Sequence, residues 1–174
     1  MPVVLEKKYS IPNSYDAPTT ELMKVLIDDF RLRISDDIPE NNILNQKTLT
    51  YTDGVICQLY ENALRDLNAG TPRTRYEMAN FAQMFGESVL TLGAIVFALF
   101  REGMLQLKNQ VDFSDSGLSI GMFNKFPQYQ SVWGSILQTY LQEKADVKAA
   151  VIAKSPNAGF FGIASEYSYR RTDR

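Results

Sequence analysis

The residues predict a mainly α protein: a four-helix bundle-like domain with a small β-hairpin and extended N- and C-terminal arms. Three observations lead there. Apolar side chains recur at three- and four-residue spacing in four separate segments. One stretch, "VDFSDSGLSIGMF", switches to strict alternation. Both ends carry no helical period. With 174 residues, 45% hydrophobic and 22% charged, the chain is long enough to bury a core in one domain and too apolar for disorder. The expected organisation is an arm over 1–16, a helical domain over 17–154 with its hairpin near 111–123, and a second arm over 155–174.

The first helix is expected to start near Thr19 or Thr20, just after Pro18, with Leu22, Val25, Leu26 and Phe30 on its apolar stripe. It ends before "SDDIPENN", a run of turn formers. The second spans about Asp53–Asn68, with Thr50 placed for a capping-box-like start and Gly70 as its stop. Its face is Val55, Ile56, Leu59, Tyr60, Ala63, Leu64 and Leu67. The third opens on a "TRYE" capping box, Thr74 to Glu77, and the pattern runs on to about Lys108, a length on the order of 50 Å. Gly86, Gly93 and Gly103 either bend that helix or admit a close neighbour. In the hairpin, "SDSG" supplies the turn between Val111/Phe113 and Leu118/Ile120/Met122. The fourth helix starts near Pro127, a residue suited to a first turn, and continues to about Ala153.

Composition excludes several kinds of chemistry. There is no histidine and a single cysteine, Cys57. The commonest general base and the commonest transition-metal ligand are both missing, so Ser-His-Asp and Cys-His arrangements are excluded and a Zn, Cu or non-haem Fe site nearly so. Cys57, among Val55, Ile56, Leu59 and Tyr60, reads as a small buried hydrophobe, and one unpaired cysteine fits a reducing cytoplasm. The start, "MPVVLEKKYSIPNSYD", lacks the apolar core of a secretory signal. The longest uncharged stretch, Ser88–Phe100, falls short of the roughly 20 residues of a membrane span, so a core helix is expected and no membrane partner. A net charge of −2 argues against a general nucleic-acid grip but not against a wall that DNA slides past.

Other clusters have plain readings. Asp28, Asp29, Asp36, Asp37 and Glu40 supply oxygen ligands for Mg²⁺ or Ca²⁺ in principle, but their spacing matches no calcium loop. A solvated acidic face is the better reading, and Asp36 or Asp37 would carry any carboxylate enzyme chemistry. No catalytic residue, cofactor or metal is expected. Tyr76, Phe81, Phe85, Phe97 and Phe100, with Tyr129, Trp133 and Tyr140, are read as packing or subunit-contact aromatics. Arg65, Arg73 and Arg75, around "NAGTPRTR", are read as surface or intersubunit ion-pair partners rather than a phosphate grip.

The tail, "SPNAGFFGIASEYSYRRTDR", carries more apolar surface than an idle terminus can leave in water. Either it folds back on its own domain or it reaches a neighbour. "GFFGI" is suited to adding a strand to a sheet edge, and "YSYRR" is composed like an interface anchor.

Two stretches, "DFSDSGLSIGMFNKFPQYQSVWGSILQTYLQEKADVKAA" and "SPNAGFFGIASEYSYRR", resemble the C-terminal half of neck or connector (head-to-tail adaptor) proteins of tailed bacteriophages. The shared pattern is a turn like Asp115-Ser116-Gly117-Leu118, a tyrosine-bearing helix like that at Tyr129, and a Gly- and Arg-containing end. The likeness covers about 65 residues, from Asp112 onward. It implies a virion structural protein made in the host cytoplasm and located in the neck, between capsid and tail. Its partners would be the portal protein, neighbouring copies in a usually dodecameric ring, and tail or other neck proteins. DNA would pass through without specific binding. Phe160, Phe161, Ile163, Tyr167, Tyr169, Arg170 and Arg171 would form the docking arm, and the hairpin would face a neighbour or the channel. The long N-terminal arm has no counterpart in that pattern, which leaves the polarity of the ring open. A tail-side completion or ring protein and a small helical protein-binding module are the alternatives.

Overall fold

The computed structural model describes residues 9–38, 49–108, 113–115, 118–120 and 126–154. Within these the chain is mainly helical: α1 (Ala17–Arg33), α2 (Asp53–Ala69), α3 (Met78–Phe85), α4 (Ser88–Lys108) and α5 (Phe126–Lys154). Two three-residue strands, β1 (Phe113–Asp115) and β2 (Leu118–Ile120), pair antiparallel with Phe113 opposite Ile120 and Asp115 opposite Leu118. The densest packing joins α4 to α5 and to α2, so α4 is the central element.

Local chemistry sets the helix starts, with corrections to the expected ones. The Asp16 side chain caps α1 by accepting from the Thr19 amide at 3.3 Å, which places Pro18 inside the first turn, where its missing N–H does no harm. Thr52, not Thr50, caps α2, accepting from the Val55 amide. The "TRYE" capping box does not form. Instead the Thr74 hydroxyl and the Tyr76 amide both donate to the side-chain oxygen of Asn68, which holds this segment out of the helix until Met78.

The expected single helix from Thr74 to Lys108 is two helices. Gly86 has φ 84°, a left-handed conformation that side chains with a Cβ resist, and it ends α3 before α4 begins at Ser88. Gly93 acts differently. A Cβ there would lie 2.8 Å from the Ala63 Cβ and 3.0 Å from a Tyr140 ring carbon, so its bare backbone lets α2 and α5 close on α4.

Periodicity locates most of the core. On α2, Ile56, Cys57, Leu59, Tyr60, Ala63 and Leu67 are buried. On α1 the buried stripe is Met23, Leu26, Ile27 and Phe30, while Val25 is 55% exposed. At 100° per residue Val25 sits about 150° from the centre of that stripe, nearly opposite the core. Phe30 meets Tyr51 and Tyr60 edge-on at 5.6 and 6.3 Å, and Tyr76, Phe81 and Phe85 form a second aromatic group. The Tyr60 hydroxyl donates to the Leu26 carbonyl at 2.9 Å and lies 3.1 Å from the Thr91 hydroxyl, so its burial leaves no polar atom stranded. In α4, Ser88–Leu105 has a mean hydropathy of 1.6, long and apolar enough by composition to cross a membrane. Half of that window is buried inside the fold, as a core helix requires.

Cys57 lies in this core, and its thiol is pushed up to about 11, first by burial and then by the charges of Asp53 and Glu61. The folded state therefore holds this proton more tightly than the unfolded state, whose thiol titrates near 9. The resulting stability is fully present below pH 9 and drains away as pH rises through 11. We expect native Cys57 to resist a soluble disulfide reagent and to react promptly once urea unfolds the chain. Rapid labelling of the folded protein at neutral pH would contradict its burial.

Candidate functional site

The tail residues expected to dock, Phe160, Phe161, Ile163, Tyr167, Tyr169, Arg170 and Arg171, lie outside the described residues, as do Ser116 and Gly117 of the expected hairpin turn. Asp115 and Leu118 are register partners across the strand pair. Residues 9–16 carry no helix and run along α1 and α2. The Tyr9 hydroxyl donates to Asp28 at 2.7 Å, the Ser10 amide to Asp53 at 2.8 Å, and the Tyr15 hydroxyl to Glu61. Burial first, then the Asp28 hydrogen bond, pushes the Tyr9 phenol up to about 12.

The acidic residues do not form one solvated face. Asp36 is only 2% exposed and accepts from the Thr50 and Tyr51 amides at 2.8 and 3.1 Å and from Arg31 at 3.2 Å. Asp29 pairs with Arg33 and accepts from the Thr91 hydroxyl, while Asp37 is exposed and Glu40 lies outside the described residues. Asp28, Asp29 and Asp36 are thus held by different protein partners and do not converge. Among the described residues no group of three or more acidic or cysteine side chains is placed to hold a metal ion. Sequence reasoning missed the role of Arg31, although one signal was available: a charged residue four positions after Ile27, on the buried stripe.

Two surfaces remain. The first is an open cleft of about 580 Å³ lined by Arg65, Asn68, Ala69, Arg73, Thr74 and Arg75. Asn68, near the end of α2, builds it: its side-chain amide donates to the Tyr76 carbonyl at 2.9 Å while its oxygen accepts from Tyr76 and Thr74. From α5, the Lys148 ammonium donates to the Pro72 carbonyl at 2.8 Å and to the Thr74 hydroxyl at 3.3 Å. Lys148 is 7% exposed, and burial, then the neighbouring Lys144 charge, lowers its pKa. Lys144 is itself neutralised by Asp66 at 2.7 Å, which also accepts from the Tyr140 hydroxyl. The 70–77 segment is thus pinned from both sides. Asn68, Thr74 and Lys148 were not legible beforehand, because their shared geometry spans distant parts of the chain.

The second surface is apolar. The C-terminal half of α4 exposes Phe100, Met104 and Leu105, and Val132 of α5 is half exposed. Trp133 lies beside Phe100 with ring centroids 6.2 Å apart. Its indole N–H is buried with no hydrogen-bond partner among the described residues. Farther along α5, Leu141 and Ile152 are exposed on another side of the helix. Comparison with models of known protein families, with curated proteins and with solved structures finds no match.

Proposed function

We propose that this chain is a structural subunit that assembles with copies of itself into a ring, of the kind that joins portal to tail in the neck of a tailed bacteriophage and lets DNA pass. The observation that carries this reading is the pair of exposed apolar side chains Phe100 and Met104, one turn apart on α4, with Trp133 of α5 beside Phe100. Large side chains grouped in this way on a folded domain are characteristic of contact surfaces, and aromatic residues are enriched where subunits meet. The sequence likeness to neck adaptors, from Asp112 onward, supplies the ring and the portal.

In this reading the helices make a bundle-like body. The hairpin near 111–123 faces a neighbouring copy or the channel, and the arm over 155–174 docks on the portal. Repeated head-to-tail contacts close into a ring where the rotation between copies permits.

Light scattering and native mass spectrometry of the full chain, alone and mixed with portal, test this directly. Multimers should appear as concentration rises, and Val132→Glu combined with Met104→Glu should shift them to monomer without lowering the melting temperature. Both positions already face solvent with about half of their surface, so the fold is expected to accommodate the change. A wild-type chain that stays monomeric at every concentration, with and without portal, would overturn the proposal.

A further inference from the structure

We infer that the arginine cleft between the end of α2 and the 70–77 segment is a binding site for a multiply charged phosphate-type oxyanion. The inference is independent of the assembly reading. It begins with charge: three of the six lining residues are arginines and none is acidic, in a chain whose net charge is −2. Arg73 and Arg75 are exposed while Thr74 and Tyr76 between and beyond them are half-buried, so this alternation turns both guanidinium groups to the same, solvent side of the segment. Neither has a side-chain hydrogen bond or ion pair among the described residues. Arg65 is only loosely engaged, 3.8 Å from Glu61 and 3.2 Å from the Asn62 side-chain oxygen, with its side chain 74% exposed.

The second line of argument is preorganisation. Mobile surface arginines bind an anion only after losing rotamer and backbone freedom. Here the backbone bearing Arg73 and Arg75 is already fixed by the bonds from Asn68 and by the buried Lys148 ammonium behind Thr74.

Stoichiometry then selects the ligand class. A single carboxylate supplies one negative charge against three guanidiniums, whereas a pyrophosphate or a run of phosphodiesters supplies several. The planar guanidinium fork also matches phosphate oxygens two at a time. The phosphate can belong to a free small molecule or to a nucleic-acid backbone, and the experiment separates these sources.

The full chain is titrated at low salt with inorganic pyrophosphate by calorimetry and with a labelled single-stranded oligonucleotide by fluorescence anisotropy. Pyrophosphate should bind, and Arg73→Gln/Arg75→Gln should weaken it at least tenfold with an unchanged circular dichroism spectrum and melting temperature. Oligonucleotide binding that pyrophosphate competes away assigns the site to nucleic-acid phosphates. There the salt dependence should lose about 1.4 units of log–log slope in the double variant, about 0.7 for each phosphate contact on a single strand. Pyrophosphate binding without oligonucleotide binding assigns it to a free phosphate compound. If the double variant melts early, Arg65→Gln, on the exposed face of α2, should show the same kind of loss. The inference fails if neither probe binds, if both sets of variants bind like wild type, or if citrate displaces pyrophosphate at equal concentration.

Discussion

Replacing Arg31 by leucine is expected to destabilise the fold by about 3–5 kcal/mol, the range seen when one member of a buried ion pair is removed. Arg31 is 4% exposed and donates to Asp36 at 3.2 Å, to Asp53 at 2.7 Å and to the Tyr51 carbonyl at 2.8 Å. One guanidinium thus ties the end of α1 to the start of α2 and to the turn that follows α1. Leucine fills much of the volume but takes the guanidinium away from the buried Asp36 carboxylate, and that lost pairing dominates the loss. Arg31→Lys should recover little, because an ammonium cannot serve three acceptors in a planar fork. Adding Asp36→Asn to Arg31→Leu should recover part of the loss, since it removes the charge left behind. Urea unfolding measures this as a fall in midpoint at constant slope. A loss below about 1 kcal/mol, the level of an exposed ion pair, would mean that this cluster is solvated.

Gly93→Val is expected to cost about 3 kcal/mol, the upper part of the range for overpacking a core. Helix propensity alone favours replacing this glycine, which it disfavours by about 1 kcal/mol relative to alanine. Packing decides the sign. Even a first carbon at this position falls 2.8 Å from Ala63 and 3.0 Å from the Tyr140 ring, and neither neighbour is the loose end of a flexible chain. Tyr140 is 2% exposed and its hydroxyl is held by Asp66 at 2.7 Å, so displacing the ring also strains that bond. Gly93→Ala should show the same effect at smaller size, and Ala63→Gly should partly rescue it by opening the other side of the contact. Thermal melts of the two singles and the double measure that coupling. A Gly93→Ala protein more stable than wild type would show that the helices are not in close contact here.

The two substitutions mark where sequence reading stops. On α2, spacing alone identified Ile56, Leu59, Tyr60, Ala63 and Leu67, all of them buried. The same reasoning put Val25 on the α1 stripe, because a run as apolar as "LMKVLI" fits more than one helical face and only the neighbours choose between them. It also carried one helix through Gly86, since a glycine within a helical pattern looks alike whether it is merely tolerated or turns the chain. Among the candidate sites, the arginines of the cleft were visible as a cluster, but the scaffold that aims them was not.

By itself the sequence determined the mainly helical class, the positions of most helices and the apolar face of α2. Those properties arise from contacts within a few residues, and a local period records them. Tertiary structure decided which polar groups are buried and with what partners. Arg31 meets Tyr51 across 20 residues and Lys148 meets Pro72 across 76. No local pattern encodes such a meeting, because a buried charge is stable only once the fold has already brought its partner within reach.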